Sequence, residues 1–542
     1  MNNIRLLDCT LRDGGYLNDW RFGYNNLVSI FQRVVDANVD IIEIGFIDER
    51  RPFDIERSIM PDTQSVQKIF GNLDKKNTMV VGMIDYGTCD IKNIQPCEES
   101  YLDGIRVIFK KHLMHEAMEY CRQLKAMGYK VFSQLVSIGA YEDSDLMELI
   151  SLANDIKPYA VSMVDTYGVL RPKTLLHYYQ ILDDYLSEDI QIGFHSHNNF
   201  QLAYANDLAF LEKGRKHDIL VDGTLFGMGK SAGNAPLELL ALTLNDEYNK
   251  NYNINSMLEA IEESIKPIRE QAVWGYQLFF YLCAKNNVHP NYLSQYNGKR
   301  NLSVSKVDEL LSLIEPTDKK LLYDKTLGED FYDTFVTENV DDFVDKTKLK
   351  ELITNKKILV VGPGKNIVLQ NDLVKAYIDR EKPFIISVNH IISGLPIDMI
   401  FVTNAKRYLE MAGELTKKEN EKLILLATSN IECRSKKFDF QINRAPLLEI
   451  SEPIVDNSFL MLVKLLNSIG VKQIACAGMD GYSEKDNNYF DSNMEYAYLK
   501  NMAFHLNDHV RSVIFEYRKS MDIKFITYSA YNEEKNINLG AN

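Results

Sequence analysis

The chain has no apolar run close to the roughly 20 residues a bilayer-spanning helix needs, so no membrane span is expected. Cysteine is sparse: seven in 542 residues, an odd number without paired spacing, which argues against a disulfide framework. Positive charge is in deficit, with 61 Lys and Arg against 76 Asp and Glu. The resulting net charge of −15 excludes a chain whose main business is coating nucleic acid or an anionic membrane. No apolar stretch follows Arg5 in the opening MNNIRLLDCTLRDGG, so a secretory leader is not expected and a reduced, cytoplasmic setting is. Low-complexity tracts and short-period repeats are also missing.

What is present is an ordinary globular mix, 45% hydrophobic and 25% charged, sufficient to build real cores. At about 100–200 residues per domain, the length implies more than one domain. From residue 1 to about 245, short β-branched runs alternate with longer stretches of helical period. Strands are expected at 4–9, 41–45, 79–83, 104–109, 130–136, 160–164, 191–194 and 219–221. Near-continuous apolar strands separated by helices mean a parallel sheet buried on both faces. Eight such units suggest a closed (β/α)8 TIM barrel, although an open doubly wound sheet carries the same local pattern.

Residues 254–290 read as helix, with Pro267 as a break or kink, and 300–326 as one or two helices more. The acidic, turn-rich stretch from Gly328 to about Thr354 reads as an interdomain connector or as an acidic helix pair. A second α/β pattern opens at Lys356. Strands are expected in KKILVV, PFIISVNH, IDMIFVTN, KLILLATSN, QIACAGMDGY and KFITYS, which suggests a Rossmann-like open sheet. The expected domains are therefore a barrel over 1–250, a helical extension over 251–330, a linker over 331–354 and a Rossmann-like α/β domain over 355–542.

In a barrel, function sits at the C-terminal ends of the strands. Asp8, Arg12 and Asp13 follow the first expected strand, and Glu43 lies on the second. Asp85, Arg106, Lys110, Gln134, Asp165 and Thr166 come at or after the next four. His195 and His197 end the seventh, and Asp222 the eighth, before the glycine-rich GTLFGMGKSAGNAPLE. Side chains two apart on a strand point the same way, so both imidazoles face one point. With one carboxylate, Asp13 being the choice, they make a site for a divalent metal. Taken alone, H-x-H is also what a chance pair of surface histidines looks like.

LLDCTLRDGG, GFHSHNN and GMGKSAGNAPLE, together with VDTYG, resemble the signatures of the DRE-TIM metallolyases over about residues 1–290. That family holds 3-hydroxy-3-methylglutaryl-CoA lyase, isopropylmalate and homocitrate synthases and 4-hydroxy-2-oxovalerate aldolase. The resemblance implies a barrel that makes or breaks a carbon–carbon bond beside a 2-oxo acid or thioester. Asp13, His195 and His197 would be the metal ligands, with Glu43 and Asn234 supporting them and Arg12 stabilising an enolate. The cofactor would be Mn2+ or Mg2+, with Co2+ or Zn2+ as alternatives. The partners would be a small 2-oxo acid and an aldehyde, and Asp8, Gln134, Thr166 and Lys230 are the expected substrate contacts. A homo-oligomer is compatible with the sequence.

Departures from the family pattern matter as much. The aldolases' base, a histidine four residues after the arginine, is here Tyr16, a poorer base unless Arg12 or the metal depresses its pKa. The lyase's cysteine has no match in Lys230-Ser231-Ala232. Candidate proton-transfer groups are Tyr16, Lys110 and Lys230, in falling order, and each could instead position substrate by a hydrogen bond. An acyl-CoA Claisen-type synthase or lyase is the alternative enzyme. A nucleotide-sugar binding module with a vestigial barrel is the alternative from another class.

In the second half, the turn at Gly362 and Gly364 follows a strand and could offer backbone N–H groups to a phosphate. With Asn389 and Asp480 at later strand ends, residues 355–490 resemble the nucleotide-binding region of bacterial CMP-sialic-acid-dependent sialyltransferases. That implies a nucleotide or nucleotide-sugar ligand, against a structural or partner-docking domain. The fusion would suit an enzyme that builds an unusual sugar for a surface polysaccharide.

Overall fold

The computed structural model describes residues 3–213, 216–297, 304–315, 320, 323–336, 340–433, 437–449, 456–494 and 500–532. The chain divides into two compact units, Met1–Asn291 with Lys320–Leu322, and Tyr292–Lys319 with Tyr323–Asn542. Among the described residues no helix is long and apolar enough to cross a membrane.

The first unit is a closed parallel barrel. Its strands are β1 (Ile4–Asp8), β2 (Ile41–Ile47), β4 (Met79–Asp85), β5 (Gly104–Phe109), β6 (Lys130–Leu135), β7 (Ala160–Asp165), β8 (Gln191–Ser196) and β9 (Ile219–Gly223). Each pairs with the next, and β1 closes the ring by pairing with β9 on one side and with β2 on the other, through Leu7 opposite Ile41. The eight expected strands are these eight, and closure removes the open-sheet alternative. A ninth, β3 (Ile59–Met60), hangs on β2 and was not expected. It is admitted where the β2–β4 register slips between Glu43 and Phe46. There Gly45 sits at φ 139, and a Cβ would meet the Ser58 carbonyl oxygen at 1.8 Å.

Strand alternation sorts the polar residues. Leu7, Ile41, Phe132, Ala160 and Leu220 form one apolar cluster, separate from the larger one shared with the helices. Residues two further along the same strands, Glu43, Gln134, Ser162 and Asp222, therefore share its face, the barrel interior. Arg106 and His195 follow the inward glycines Gly104 and Gly193 by the same count.

Beyond the barrel, helix Ile254–Ala260 passes through a wide π turn, Ile261–Ile265, into helix Lys266–Gln271. Pro267 produces that change of pitch rather than an outright break, because it has no N–H to donate to the preceding turn. Helices Leu278–Asn286 and Pro290–Asn297 follow. Helix Val304–Ser312 lies in the expected 300–326 region, of which 300–303, 316–319 and 321–322 fall outside the described residues.

The second unit is an open parallel sheet. Its strands are β10 (Ile358–Val361), β11 (Phe384–Val388), β12 (Met399–Val402), β13 (Ile424–Thr428), β14 (Phe440–Ile442), β15 (Gln473–Ala477) and β16 (Asp522–Phe525). Their order is β14-β13-β12-β11-β10-β15-β16, so the strand order reverses between β10 and β15. The short edge strand β14 was not expected. Of the two readings of the stretch after Gly328, the helix pair is the one found: helices Lys325–Val336 and Phe343–Ile353 run through most of 331–354, expected as a linker. The acidity of that stretch has a local cause. Asp345 accepts the backbone N–H of Gln441 and Asp342 that of Asn443, each at 2.8 Å, so two carboxylates cover N–H groups of the sheet edge.

Candidate active site

Four buried acceptors converge at the C-terminal mouth of the barrel. His195 Nδ1 is hydrogen-bonded to Asp222 Oδ2 at 3.0 Å, and its Nε2 lies 3.2 Å from Asp13 Oδ2. His197 Nδ1 donates to the Asp165 carbonyl at 3.1 Å, which leaves Nε2 a bare lone pair 3.5 Å from the same Asp13 oxygen. The ligand atoms of Asp13, His195 and His197 lie within 4.8 Å of one another. Asn234, whose backbone bridges to His197, has a buried Oδ1 with no partner, and His197 Nε2 has none either. Unpaired acceptors crowded together in a dry site need a positive charge among them, and imidazole, carboxylate and amide oxygens suit a divalent cation. Each imidazole is already oriented by a bond from its far nitrogen, the usual arrangement behind a metal ligand.

The glycine-rich loop after β9 makes this possible. Lys230 donates its backbone N–H to Asp13 Oδ1 at 2.8 Å. Gly229 lets that loop close down, because a Cβ there would lie 2.0 Å from Asn234 Nδ2 and 2.8 Å from Asp13 Oδ1.

Beneath the mouth, six side chains form a closed ring in which three carboxylates alternate with two guanidiniums and the His195 imidazole. Arg12 bonds Asp13 (2.6 Å) and Glu43 (2.7 Å). Glu43 meets Arg106 at 3.1 Å, Arg106 pairs with Asp222, and Asp222 returns through His195 to Asp13. All six are at most 5% exposed. Burial alone would lift Asp13, but Arg12 and the two imidazoles hold it well below the usual carboxylate range. Burial works the same way on Asp222, and Arg106 and His195 bring it below its ordinary value. Glu43 thus positions Arg12 through Oε2, and its buried Oε1 has no partner among the described residues. Arg12 Nη2 makes no hydrogen bond among the described residues, which leaves N–H groups for a ligand.

Arg106 and Asp222 are the ring members whose role the sequence did not reveal. Cys9 touches the ring at His195 Nδ1, 3.8 Å away, but burial raises its thiol well above the ordinary value and it donates to the Gly223 carbonyl, so it stays a thiol.

Three of the expected substrate contacts are engaged elsewhere. Asp8 lies on the opposite strand face from Leu7, fully buried and bonded to Thr10, with burial lifting its carboxyl to about 7. Gln134 accepts from Arg106 and donates to Ser162, so it supports the ring. Thr166 accepts the Ser137 N–H and ties two loops together.

The remaining expected residues surround the mouth. Tyr16 stacks edge-on against Trp20 and Phe46, and Lys230 Nζ lies 5.3 Å from its ring centre. Its environment pushes the phenol up, with Arg12 lowering it by less, so the depressed pKa required of a base is not found. Burial lowers Lys230, with Asp13 opposing. Lys110 is exposed and close enough to Asp85 to lower that half-buried carboxyl, which desolvation raises overall.

The sequence reading passed over His289, in the extension beyond the barrel. Its ring lies 6.1 Å from that of Tyr167, in the loop after β7, and its Nδ1 accepts the Asn291 N–H at 3.1 Å. Burial, then the charges of Lys230 and Lys110, hold this imidazole down at about 4. It therefore stands neutral near both lysines of the mouth.

In the second unit, the expected phosphate cradle is not formed by the glycines. Gly362 donates its N–H to the Ala477 carbonyl (2.9 Å) and Gly364 to that of Gly478 (2.8 Å). They are glycines because two loops touch: a Cβ on Gly362 would lie 2.7 Å from Gly478 O, and one on Gly364 2.5 Å from Asp480 Cγ. Asn389 is likewise occupied, bonding Thr403 and Ser458 and so pinning β11 to its neighbours.

Residues 3–263 match the HMGL-like family model. A 4-hydroxy-2-oxovalerate aldolase of Chloroflexus aurantiacus is 27% identical over 274 residues, which are 49% of this chain and 77% of that one. An oxaloacetate decarboxylase of Mycobacterium tuberculosis is 27% identical over 241 residues, 44% of this chain and 69% of that one. Among solved structures, a hydroxymethylglutaryl-CoA lyase from Pseudomonas aeruginosa aligns with a TM-score of 0.40 at 14% identity, covering 50% of this chain and 98% of that one.

Proposed function

Because the N-terminal half of the chain, residues 3–263, belongs to the HMGL-like family of aldolases and lyases, we propose that the barrel is a divalent-metal-dependent aldolase acting on a 2-oxo acid through its enolate. The observation that carries this reading is the convergence of Asp13, His195 Nε2 and His197 Nε2, with the unpaired Asn234 Oδ1 and the Arg12 guanidinium beside them. A cation held by Asp13, His195 and His197, with Asn234 in support, would act as a Lewis acid toward the 2-oxo oxygen. Arg12 offers N–H groups to the charge that grows on that oxygen as the carbon–carbon bond breaks. The interaction strengthens in the transition state, so it lowers the barrier rather than only tightening binding. The ring through Glu43, Arg106 and Asp222 holds Arg12 and His195 in place, so little reorganisation accompanies the reaction.

We assign proton transfer to His289. Tyr16, with its pKa raised, orients the substrate, and Lys110 and Lys230 attract its carboxylate. An anionic substrate between the lysines and His289 offsets the charges that depress the imidazole and restores the basicity of Nδ1, which then exchanges the Asn291 N–H for the substrate's proton. The aldehyde partner follows from the similarity to 4-hydroxy-2-oxovalerate aldolases. A sugar-building role rests only on fusion to a second α/β unit, and it calls for a polyhydroxylated aldehyde. The similarity to an oxaloacetate decarboxylase supports a second reading, in which carbon dioxide leaves and the same enolate is protonated.

The test is to incubate the metal-loaded protein with pyruvate in D2O and follow the methyl group by NMR. Metal-dependent exchange is expected, lost in His195→Ala and slowed by about 3–4 kcal/mol of barrier in Arg12→Ala. No exchange in the wild type, with free thiol released from acetyl-CoA and a 2-oxo acid, would replace this reading with the acyl-CoA one.

A further inference from the structure

In an open parallel sheet the natural crevice lies outside the carboxyl ends of the strands, where the strand order reverses. Here that point lies between β10 and β15, and a cavity of about 150 Å³ opens there, lined by Gly364, Asn389, Arg407, Ser458, Asp480 and Tyr482 among others. A second cavity shares Asn389 and Arg407 with it and adds His390 and Phe490.

Two groups in this cleft lack the partners that buried polar atoms ordinarily have. His390 is 4% exposed, and its Nδ1 lies 2.7 Å from the Val388 carbonyl. A carbonyl only accepts, so the proton is on Nδ1 and Nε2 is a bare lone pair, with no partner among the described residues. Burial holds this imidazole down at about 4, so it is neutral. Asp480 uses Oδ2 to accept both the backbone and side-chain N–H of Asn366, at 2.8 and 2.9 Å, while its buried Oδ1 accepts nothing. Both unmet needs are for hydrogen-bond donors.

The rest of the cleft favours the opposite charge. Helix Ser458–Ser468 begins there, capped by the Asn457 side chain on the Leu460 N–H, so its first backbone N–H groups have no acceptor within the helix. Arg407, paired with Glu410 at 2.8 Å, adds a guanidinium to the shared wall.

We propose that this cleft binds a phosphate ester bearing hydroxyl groups, with the phosphate at the Ser458 helix start and Arg407, and the hydroxyls donating to Asp480 Oδ1 and His390 Nε2. A nucleotide, through its ribose, and a sugar phosphate share this chemistry. The site is independent of the barrel reaction.

Titration calorimetry on the full chain with uridine monophosphate, ribose 5-phosphate and inorganic phosphate tests it. Binding of either ester is expected, with inorganic phosphate weaker, and Asp480→Asn and His390→Gln should each weaken the ester by about tenfold or more. Uridine monophosphate well above ribose 5-phosphate identifies a nucleotide, and equal affinities identify a sugar phosphate. No ester binding, inorganic phosphate binding as tightly, or affinity unchanged in both variants would each overturn the proposal. Unaltered thermal unfolding at neutral pH shows the variants are folded, and unaltered pyruvate exchange shows the barrel is untouched.

Discussion

The two units differ in how far their buried charged side chains answer one another. In the closed barrel, all eight strand ends point at one axis, so residues far apart in sequence can neutralise one another. Arg106 meets Asp222 across 116 positions, and Arg12 meets Glu43 across 31. In the open sheet only neighbouring strand ends meet. There His390 bonds the Val388 carbonyl two residues back and Asp480 bonds Asn366 at the adjacent strand end, and each leaves one atom unanswered. Closure therefore favours a pre-arranged charged ring, while both mouths leave atoms for a ligand to answer, His197 Nε2 and Asn234 Oδ1 in the barrel and His390 Nε2 and Asp480 Oδ1 in the open sheet.

Cutting the ring is expected to have the largest effect. Arg106→Met leaves Glu43 and Asp222 buried with less counter-charge, and should destabilise the barrel by about 3–5 kcal/mol in chemical denaturation. A loss below about 1 kcal/mol would mean the ring is not a unit.

Acid should distinguish the second unit. His390 has its folded-state pKa near 4, below the ordinary 6.5, so its contribution to stability is complete above about 6.5 and lost as pH falls toward 4. Hydrogen exchange at β11 should report up to about 3 kcal/mol lost over that window, and His390→Gln should flatten the slope. An unchanged slope would show that the imidazole is not buried neutral.

Next comes proton transfer. His289→Gln should slow pyruvate exchange about a hundredfold, while leaving metal affinity as it was. If Tyr16→Phe does that instead, the assignment moves to the phenol. The smallest effect is expected of Asp222→Asn, which keeps the shape of the ring but weakens the hold on His195 and should reduce metal affinity about tenfold. Calorimetric metal titration reads it, and an unchanged affinity would detach Asp222 from the site.

Much of this was legible in the sequence. The barrel strands are apolar runs at regular spacing, and Asp13, His195 and His197 sit in local motifs whose strand geometry can be counted by twos. The ring was not legible, because Arg106 and Asp222 look like any charged strand ends until closure brings them together. His289 lies outside the repeat and shares no motif with the mouth it reaches. Gly362 and Gly364 misled for a physical reason: glycine marks a close approach of something to the backbone, and here that is another loop rather than a phosphate. The acidic stretch after Gly328 read equally as a connector or a helix pair because the N–H groups it covers, on Gln441 and Asn443, lie about 100 positions downstream.

The pairing of β1 with β9 also bears on how the chain is made. During vectorial synthesis the opening strand leaves the ribosome more than 200 residues before its neighbour at Ile219 exists. Until then it carries an apolar, unpaired flank, and Asp13 has no imidazole to face. In the proposed function metal capture thus falls late in barrel assembly, and a chaperone that shields this first strand would have most to do in that interval.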